Sequence, residues 1–223
     1  MINKILKKIG LTSKITRQKL EIFIQKHQNK GLTLDIGCAD SPYAKYFPNR
    51  IGLDSQAGPN IDVVADTHQL PFADEKFDNI LCTEVLEHLY SPHLAIAEMK
   101  RVLKPGGKLI LSTRFIFPLH DIPNDYYRYT KYGLKYLFRN WQIIELKEET
   151  NTITTLAVLL QRIGYQGEIL KFKPFKLLFF LKAKIIPWFS FLITKEYGDI
   201  KKSRPETHIM TSGYYLVALK TST

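Results

Sequence analysis

The sequence predicts an α/β protein whose doubly wound sheet is mostly parallel. Short apolar runs alternate with helical patterns of about ten or more residues, an order typical of β-α-β units. The first apolar run ends in Asp35 and a turn at Gly37, and the second ends in Asp54. A chain of 223 residues is long enough for one well-buried domain of this class with an appendage.

The first predicted strand leads into a tight turn within residues 32–47. Asp35 ends the strand, and Ser41 and Pro42 open a helical pattern, with Ser41 as its cap and Pro42 in its first turn. Backbone N–H groups at a helix start favour an anion, while Asp35 adds a carboxylate, so the predicted ligand carries both charges. Many α/β proteins have such a turn and bind nothing there, so this turn alone leaves both alternatives open.

The next two predicted strands also end in acids. Residues 50–54 form the second strand, and Asp54 follows Asp35 by about 20 residues, the spacing at which an acid meets ribose hydroxyls in nucleotide-binding folds. Residues 61–64 form the third strand, which ends near Asp66. Both acids are therefore candidates for binding a nucleoside.

The fourth predicted strand, residues 77–82, places Thr83 and Glu84 at its carboxyl end, where open α/β sheets bind ligands. Ser91 and Pro92 then begin a helix. The apolar face of this helix is predicted to consist of Leu94, Ala95, Ala97, Met99 and Val102. The remaining predicted elements are a turn at 104–107, a fifth strand at 108–113, a helix at 131–138, a sixth strand at 141–146 and a last strand at 213–220.

Six motifs stand in order between Leu34 and Thr130: L-D-I-G-C-x-x-S-P-Y, I-G-L-D, A-D-x-x-x-L-P-F, F-D-x-I-L-C-x-E-V-L-E-H, R-V-L-K-P-G-G and H-D-x-P-x-D-Y-Y-R-Y-T. With them the sequence resembles class I S-adenosylmethionine-dependent methyltransferases of the type 11-like branch. The resemblance implies a Rossmann-like seven-stranded sheet, helices on both faces, a last strand antiparallel beside the sixth, and S-adenosylmethionine as cofactor. Ala39 stands where the family often has a second Gly, and alanine disfavours a positive φ.

The resemblance also assigns contacts to the methyl donor, residue by residue. Asp35, Gly37, Ala39 and Asp40 would face the methionine end of the donor. Asp54 and Ser55 would take the ribose, Asp66 and Thr67 would lie by the adenine, and Thr83 would sit under the donor.

The acceptor side is predicted in the loop of residues 115–130, because functional residues concentrate on loops carried by a rigid scaffold. The candidates in this loop are His120, Asp121, Asp125, Tyr126, Tyr127 and Arg128. His120 is the first choice for a base poised near neutral pH, and His88 is the second. Two alternatives stay open: a surface loop held by its own Asp–Arg pairs and Tyr packing, and a structural His88 bonded to a backbone carbonyl. The spacing shows no metal-ligand cluster, so no metal is predicted.

Basic residues concentrate in two flanking segments. Residues 1–31 hold eight Lys and Arg against one Glu, and residues 170–202 hold eight Lys against two acids, within a net charge of +11. This distribution suits an anionic surface, either a membrane or a nucleic acid.

Cysteine use and the first residues predict the compartment. Cys38 and Cys82 are the two cysteines, one in the turn and one in a central strand, and no disulfide is expected between them. Residues 1–10 have lysines but no continuous apolar core, so no signal peptide is expected. The predicted location is the cytoplasm, with peripheral contact to the inner face of the membrane as an open alternative.

Four segments are predicted: a basic amphipathic helical segment at 1–30, the S-adenosylmethionine-binding core at 31–150, an apolar basic helical insertion at 151–204, and the last core strand at 205–223. The N-terminal helix either packs on the sheet edge or lies on anionic lipid. Lys182, Lys184 and Pro187 interrupt the apolar residues 177–194, which disfavours a membrane span. Interfacial contact with lipid and a buried lid or homodimer helix both stay open.

Three function classes follow from these observations. The favoured class is a methyltransferase that acts on a small-molecule, lipid-linked or surface-polysaccharide acceptor. The second is a nucleic-acid methyltransferase, although residues 82–85 lack the Asn/Asp-Pro-Pro-aromatic signature of base-amino methylation, so the nucleic-acid signal is weak. The third is a non-catalytic S-adenosylmethionine-binding protein, because a fold alone does not prove activity.

Overall fold

The computed structural model describes residues 13–40, 42–167 and 173–221. The chain divides into two compact units. Of the described residues, the core unit comprises 21–40, 42–115, 119–147 and 214–221, and the second unit comprises 13–20, 116–118, 148–167 and 173–213. The division into four segments remains a prediction.

The core of the fold is a seven-stranded sheet. The strands of the described residues are β1 (Thr33–Ile36), β2 (Arg50–Asp54), β3 (Val63–Val64), β4 (Phe77–Thr83), β5 (Leu103–Arg114), β6 (Trp141–Glu148), β7 (Glu196–Tyr197), β8 (Pro205–Glu206) and β9 (Gly213–Lys220). The order in the sheet is β3-β2-β1-β4-β5-β9-β6. The pairs β1–β2, β1–β4, β2–β3 and β4–β5 are parallel, which confirms the predicted Rossmann-like, mostly parallel sheet.

Strand β9 lies between β5 and β6 and runs against β5. Lys220, at the end of β9, donates a hydrogen bond to the carbonyl oxygen of Leu103 at the start of β5, with Nζ and O 2.7 Å apart. Neighbouring strands whose opposite ends meet in this way are antiparallel. The prediction of an antiparallel last strand beside the sixth is confirmed.

The helices of the described residues are α1 (Ile15–Lys26), α2 (Pro92–Val102), α3 (Lys131–Leu137), α4 (Thr152–Gln166) and α5 (Lys173–Ile185). Helix α2 buries Pro92, Ala95, Ile96, Met99 and Val102, which recur at the spacing of one helix face. Leu94 and Ala97 are exposed, so the predicted apolar face was wrong at these two positions. At about 100° per residue they lie on the other side of the helix from Ala95 and Met99.

The part of α1 that belongs to the core unit packs on the edge of the sheet. Phe23 stacks on Tyr215 of β9, with ring centroids 4.5 Å apart. Lys26 Nζ and His27 Nε2 both contact Oε2 of Glu145 in β6, at 2.6 and 3.1 Å. These contacts support the packed interpretation for residues 21–27, while the predicted helical residues before 13 lie outside the described part of the chain.

The α-helix predicted after β1 is not formed. Residues 42–43 form a turn and Ala44–Tyr46 form a short 3₁₀ helix, while the predicted cap Ser41 lies outside the described residues. Pro48 explains the difference, because proline cannot continue a helix and the residue before it avoids helical conformation. Tyr43 and Phe47 are buried and anchor the segment instead.

Two other predicted boundaries shift. The third strand is limited to Val63–Val64, because the N–H of Ile61 is used in a turn with the carbonyl oxygen of Gly58. The turn predicted at 104–107 lies within the bounds of β5. The predicted turn corresponds to an irregularity in strand β5: Gly106 has a φ of +72°, and the register of the β4–β5 pair shifts between Phe77 and Asn79.

In its described residues, the second unit contains helices and an antiparallel hairpin. Asn151 caps α4, since its Oδ1 accepts a hydrogen bond from the N–H of Thr154 at 2.7 Å. Helix α5 packs on α4 through Phe180, whose ring lies 4.9 Å from the ring of Tyr165. A 3₁₀ helix, Ile186–Leu192, continues α5, and β7 and β8 then form the hairpin.

The apolar part of the predicted insertion is broken into two short helices. Helix α5 ends at Ile185, and Pro187 stands within the following 3₁₀ helix. Among the residues that the structure describes, no helix has both the length and the apolar character needed to cross a membrane. Large side chains of the 3₁₀ helix are exposed, with relative accessibilities of 77% for Trp188 and 72% for Phe191.

Candidate functional site

The carboxyl ends of β1, β2, β3 and β4 lie at one edge of the sheet, because these strands are parallel. From β1 the chain moves to β2 and β3 on one side, and β4 then pairs with β1 on the other side. Open α/β sheets bind ligands where the strand order reverses in this way. The predicted donor contacts lie in these four strands or directly after them, so the fold brings them to the expected edge.

Gly37 closes the turn after β1 and has no room for a side chain. Its φ is +65°, and a Cβ at this position would lie 2.2 Å from Cγ2 of Val85. The N–H groups of Gly37 and Cys38 donate to the carbonyl oxygen of Leu53 at 2.8 and 3.2 Å. The turn is therefore tied to β2, and the prediction that its N–H groups serve an anion was wrong for these two donors.

Asp54, at the end of β2, holds the same turn. Its Oδ2 accepts a hydrogen bond of 3.1 Å from the N–H of Ala39, whose φ of +43° is in the region that alanine disfavours. Its Oδ1 makes two long hydrogen bonds of 3.4 Å, with Oγ of Ser55 and the N–H of Gln56. Oδ1 can therefore accept a stronger bond from a ligand hydroxyl, which is the geometry that the predicted ribose contact requires.

Asp35 and Asp40 differ in their surroundings. Asp35 lies within β1, is buried, and has its Oδ2 3.6 Å from Nη1 of Arg50. Asp40 is exposed, and its carbonyl oxygen accepts a hydrogen bond of 3.3 Å from Nδ2 of Asn60. The Arg50 guanidinium neutralises Asp35 and joins β1 to β2, so the donor contact of Asp35 stays a prediction beside this structural role.

Asp66, after β3, is fixed by a histidine that sequence analysis missed. Oδ1 of Asp66 lies 2.9 Å from the backbone N and 2.6 Å from Nδ1 of His68. Nε2 of His68 accepts from the N–H of Ser91 at 3.2 Å, so the ring proton is on Nδ1. The hydrogen bond from the backbone N–H of His68 is the main cause that lowers the pKa of Asp66. Thr67 is buried beside it, while the Asp66 side chain is 57% exposed.

Residues at the end of β4 and after it contact strand β5 and the predicted acceptor loop. Thr83 is half-buried, Glu84 has a φ of +58°, and its carboxylate pairs with Arg114 at the end of β5. Glu87 is fully buried, and its Oε2 accepts a hydrogen bond of 2.7 Å from Oγ1 of Thr113. Burial raises the pKa of Glu87, and the Arg114 guanidinium partly opposes this rise.

Glu87 was not among the predicted site residues, although it lies at the centre of the site. Its carbonyl oxygen accepts hydrogen bonds from the N–H groups of Tyr126 and Tyr127 at 3.0 and 3.1 Å. It therefore fastens the loop of residues 119–130 to the segment after β4. The only signal in the sequence was the motif E-V-L-E-H, in which a fully buried acid cannot be told from an exposed one.

His88 and His120 meet, with ring centroids 4.7 Å apart and planes inclined by 76°. Nδ1 of His88 lies 2.8 Å from the carbonyl oxygen of Asn124, so this nitrogen donates and Nε2 is unprotonated in the neutral ring. The structure thus contains the backbone-carbonyl bond that the structural interpretation of His88 required. Nδ1 of His120 lies 3.4 Å from Oδ2 of Asp125, and its Nε2 lies 3.9 Å from Oε1 of Glu87.

Asp125 and Arg128 form an ion pair that shapes the loop. Nη1 and Nη2 of Arg128 each lie 2.6 Å from a carboxylate oxygen of Asp125, which is buried. Arg128 is the main cause that lowers the pKa of Asp125 to about 2. Asp125 also accepts from the N–H of His120 at 3.0 Å, while the Tyr126 hydroxyl donates to Oδ1 of Asn124 at 3.0 Å. The Asp–Arg pair expected of a self-supporting loop is present, and it also orients His120.

The fold brings three metal-ligating groups together. A carboxylate oxygen of Glu87 and ring nitrogens of His88 and His120 all lie within 4.8 Å of one another. No metal-ligand cluster was predicted from the sequence, and this prediction was wrong, because these three side chains lie together in the structure. The reason is that His120 reaches the other two only through the path of the loop after β5, which spacing does not show.

Residues 34–111 match the family model described as a methyltransferase domain. The matched segment runs from β1 into β5 and contains the turn, Asp54, Asp66 and Thr83 described above. The match confirms, over this segment, the resemblance to class I S-adenosylmethionine-dependent methyltransferases, and S-adenosylmethionine is the cofactor that this resemblance implies.

Curated relatives each match part of the chain. An uncharacterized protein of Methanocaldococcus jannaschii is 38% identical over 97 residues, which cover 40% of this chain and 47% of that protein. A demethylmenaquinone methyltransferase of Renibacterium salmoninarum is 38% identical over 86 residues, covering 34% of this chain and 36% of that protein. A probable tRNA methyltransferase 9B of Homo sapiens is 35% identical over 103 residues, covering 40% and 22%. The chain spans less than half the length of each.

Solved structures share the fold at low identity. The cyclase SpnF superposes with a TM-score of 0.59 at 16% identity, covering 92% of this chain and 81% of that chain. The 1,6-didemethyltoxoflavin-N1-methyltransferase of Burkholderia thailandensis, solved with its substrate and S-adenosylhomocysteine, superposes with a TM-score of 0.56 at 14% identity, covering 95% and 80%. Both likenesses concern the fold.

Proposed function

We propose that the protein is an S-adenosylmethionine-dependent methyltransferase whose acceptor is a small molecule with an apolar or aromatic body. One observation carries the proposal: the predicted donor contacts follow the carboxyl ends of β1 to β4, and the His88–His120 pair lies after the carboxyl ends of β4 and β5, at the same edge of the sheet. When bound, the donor supplies an electrophilic methyl group on sulfur. The task of the chain is to hold donor and acceptor in line, at about 3–3.5 Å between the reacting atoms.

The donor side fits this cofactor. A side chain on Gly37 would clash with Val85, so the turn after β1 has the compact backbone that the family motif needs. We infer that Oδ1 of Asp54 accepts a hydrogen bond from a ribose hydroxyl, which its long contacts with Ser55 and Gln56 support. We infer that Asp66 and Thr67 lie by the adenine, that Thr83 lies under the donor, and that Asp35, Gly37, Ala39 and Asp40 line its methionine end.

The acceptor side presents apolar and aromatic surface around the two histidines. Leu119 and Ile122 are 72% and 74% exposed, and Tyr90, Tyr126 and Tyr127 are 58%, 48% and 39% exposed. Exposed apolar and aromatic side chains close to polar groups favour a binding site for a small molecule with an apolar body. We infer that the exposed rings pack on the acceptor, and that His120 and His88 hold or deprotonate its reacting oxygen or nitrogen.

We propose further that the acceptor is lipid-linked or polyprenylated, and residues of the second unit support this. Trp188 and Phe191 expose most of their surface, and Lys182 and Lys184 stand in the last turn of the preceding helix. Aromatic residues flanked by lysines suit the interface of an anionic membrane. The relatives that methylate demethylmenaquinone are consistent with an apolar acceptor.

The proposal is tested with the purified protein, S-adenosylmethionine carrying a labelled methyl group, and three acceptor panels: isoprenoid quinols and phenols, lipid-linked sugars, and unmodified tRNA. Transfer of label to an apolar phenol, quinol or lipid-linked sugar supports it. Transfer to tRNA alone, with a steep dependence of binding on salt, would replace it with the nucleic-acid alternative that the tRNA methyltransferase relative suggests. Donor binding without transfer to any panel, cell-extract acceptors included, would favour a non-catalytic role.

A further inference from the structure

We propose that Glu87, His88 and His120 bind a divalent transition-metal ion, which holds the acceptor on the floor of the site. The metal-binding part of this inference is independent of the proposed function, and the acceptor-holding part rests on it. Four features of the core unit support the inference: the distances, the state of the buried carboxylate, the orientation of the two rings, and the local charge.

The distances come close to those of a metal site. The three ligand atoms lie within 4.8 Å of one another, and Oε1 of Glu87 is 3.9 Å from Nε2 of His120. Atoms bound to one ion at about 2.1 Å lie roughly 3 to 4 Å apart. Small side-chain rotations would therefore bring the three atoms to coordination distance, with no change of the backbone.

The buried carboxylate has one oxygen unused. Glu87 has no exposed surface, and its Oε2 is bonded to Oγ1 of Thr113. Within the described part of the chain, Oε1 has no hydrogen-bond donor. A buried polar atom without a partner is costly and calls for an explanation, and a bound cation at the mouth of the cluster is the simplest one.

Both imidazole rings are oriented as metal ligands usually are. The carbonyl oxygen of Asn124 accepts from Nδ1 of His88, and the carboxylate of Asp125 faces Nδ1 of His120 at 3.4 Å. These contacts favour protons on Nδ1 and lone pairs on Nε2. An outer carbonyl or carboxylate that fixes the ring of a ligating histidine is the recurrent support of such sites. Arg128 in turn holds Asp125 through two bonds of 2.6 Å.

The charges around the cluster leave a negative balance. The carboxylates of Glu84, Glu87, Asp121 and Asp125 contact or adjoin the cluster, and they are opposed by the guanidinium groups of Arg114 and Arg128. With neutral histidines and an ionised Glu87, the form that a metal ligand takes, the balance is two negative charges, which one divalent cation neutralises.

Two imidazole nitrogens and one carboxylate oxygen form a ligand set that suits Zn²⁺, Mn²⁺, Co²⁺ or Fe²⁺. Three protein ligands leave coordination positions open for an oxygen of the acceptor. A metal ion there lowers the pKa of a bound hydroxyl and fixes its position, so that the chain needs no separate base. His88 and His120 would then act as ligands.

The test is direct titration of the full chain, purified without a polyhistidine tag and stripped with a chelator. Zn²⁺ and Mn²⁺ are titrated by calorimetry, and Co²⁺ by visible absorption, which reports the ligand geometry. The expected result is one site per chain, weakened by about tenfold or more in Glu87→Gln and in His120→Gln. Glu87→Gln keeps the acceptor for Thr113, and both variants are checked for an unchanged fold by circular dichroism.

His93→Gln is the matched control, because His93 is exposed on α2 outside the cluster. It should bind the metal with unchanged affinity. Absence of a stoichiometric site in the stripped wild-type protein, or equal affinity in Glu87→Gln, His120→Gln and the wild type, would overturn the inference. S-adenosylmethionine binding is measured on the same samples. If the protein binds the donor but no metal, the metal inference is wrong and the proposed function is unaffected. If it binds the metal but no donor, the proposed function is wrong and the metal site is unaffected.

Discussion

We propose that Asp54 links the turn after β1 to the methyl donor, because its Oδ2 accepts the N–H of Ala39 and its Oδ1 makes only long hydrogen bonds. Asp54→Ala is expected to raise the dissociation constant of S-adenosylmethionine by about ten- to a hundredfold, because hydrogen bonds to a charged group contribute about 1.5–3 kcal/mol. Asp54→Asn should have a smaller effect, since it can still accept from Ala39. Isothermal titration calorimetry measures both.

The control for Asp54 is Glu75→Gln, which removes a carboxylate whose side chain is 53% exposed and paired with Lys220. Its donor affinity should match that of the wild type. A change of less than twofold in Asp54→Ala would refute the ribose contact.

Gly37 is the position where a single methyl group should matter most. Gly37→Ala places a Cβ 2.2 Å from Val85 Cγ2 and demands a φ of +65° from alanine. We expect a loss of about 2–4 kcal/mol in the free energy of unfolding, measured in urea, from the clash and from the left-handed backbone. Adding Val85→Ala should recover the clash part alone. If the double variant is no more stable than the sum of the two single changes predicts, steric contact with Val85 is not the cause.

At the scale of elements, Arg101 of α2 fastens the segment after β3. Its guanidinium donates to the carbonyl oxygens of Leu70 and Phe72 at 2.9 and 2.7 Å and contacts Glu98 and Asp74. Arg101→Lys should lower the free energy of unfolding by about 1–3 kcal/mol, because an ammonium cannot replace a planar fork with several partners. Arg139→Lys is the control, since Arg139 is exposed and bonded to the Tyr136 carbonyl oxygen. Equal urea midpoints for the two variants would contradict the role of Arg101.

The same contact predicts a pH dependence. The hydrogen bonds of Arg101 lower the pKa of Glu98 below its ordinary 4.5, despite partial burial. A carboxylate with a lowered pKa in the folded state contributes stability that is complete above about pH 4.5 and is lost as the pH falls. The wild type should therefore lose more stability than Glu98→Gln between pH 6 and pH 3.5, as followed by urea unfolding. Parallel curves for the two proteins would argue against it.

The 3₁₀ helix Ile186–Leu192 carries the prediction about membranes. Trp188 and Phe191 are exposed, and burying two aromatic side chains in a lipid interface contributes several kcal/mol. Co-sedimentation with vesicles rich in anionic lipid should be clear for the wild type and weak for Trp188→Ser/Phe191→Ser. Tyr132→Ser/Tyr136→Ser, which removes two exposed tyrosines from α3, serves as the control. Equal sedimentation of all three would remove the lipid interface from the account.

At the scale of the whole molecule, sequence patterns predicted those helices and strands that are determined by residues close together in the chain. Strand β2 and strand β9 have the predicted bounds, because short apolar runs between turn residues leave little choice. The α-helix predicted after β1 is not formed, because Pro48, six residues beyond Pro42, prevents its continuation despite a favourable capping residue.

The candidate site was predictable only in part, for a physical reason. Asp54 and Thr83 end β2 and β4, and Asp66 comes shortly after β3, so the topology of a parallel sheet brings them to one edge. The meeting of Glu87 with His120 depends on the loop after β5, and the roles of His68 and Arg101 depend on contacts across more than twenty residues. Such contacts follow from packing, which no spacing in the sequence encodes.

The central claim is that this edge of the sheet binds a methyl donor, and the most direct measurement is calorimetric titration of the purified protein with S-adenosylmethionine and then with S-adenosylhomocysteine. We expect one site per chain, micromolar dissociation constants for both compounds, and a higher dissociation constant in Asp54→Ala. A folded protein that binds neither compound would contradict it, and the strain of Ala39 in the turn after β1 would then be the first place to look for the cause.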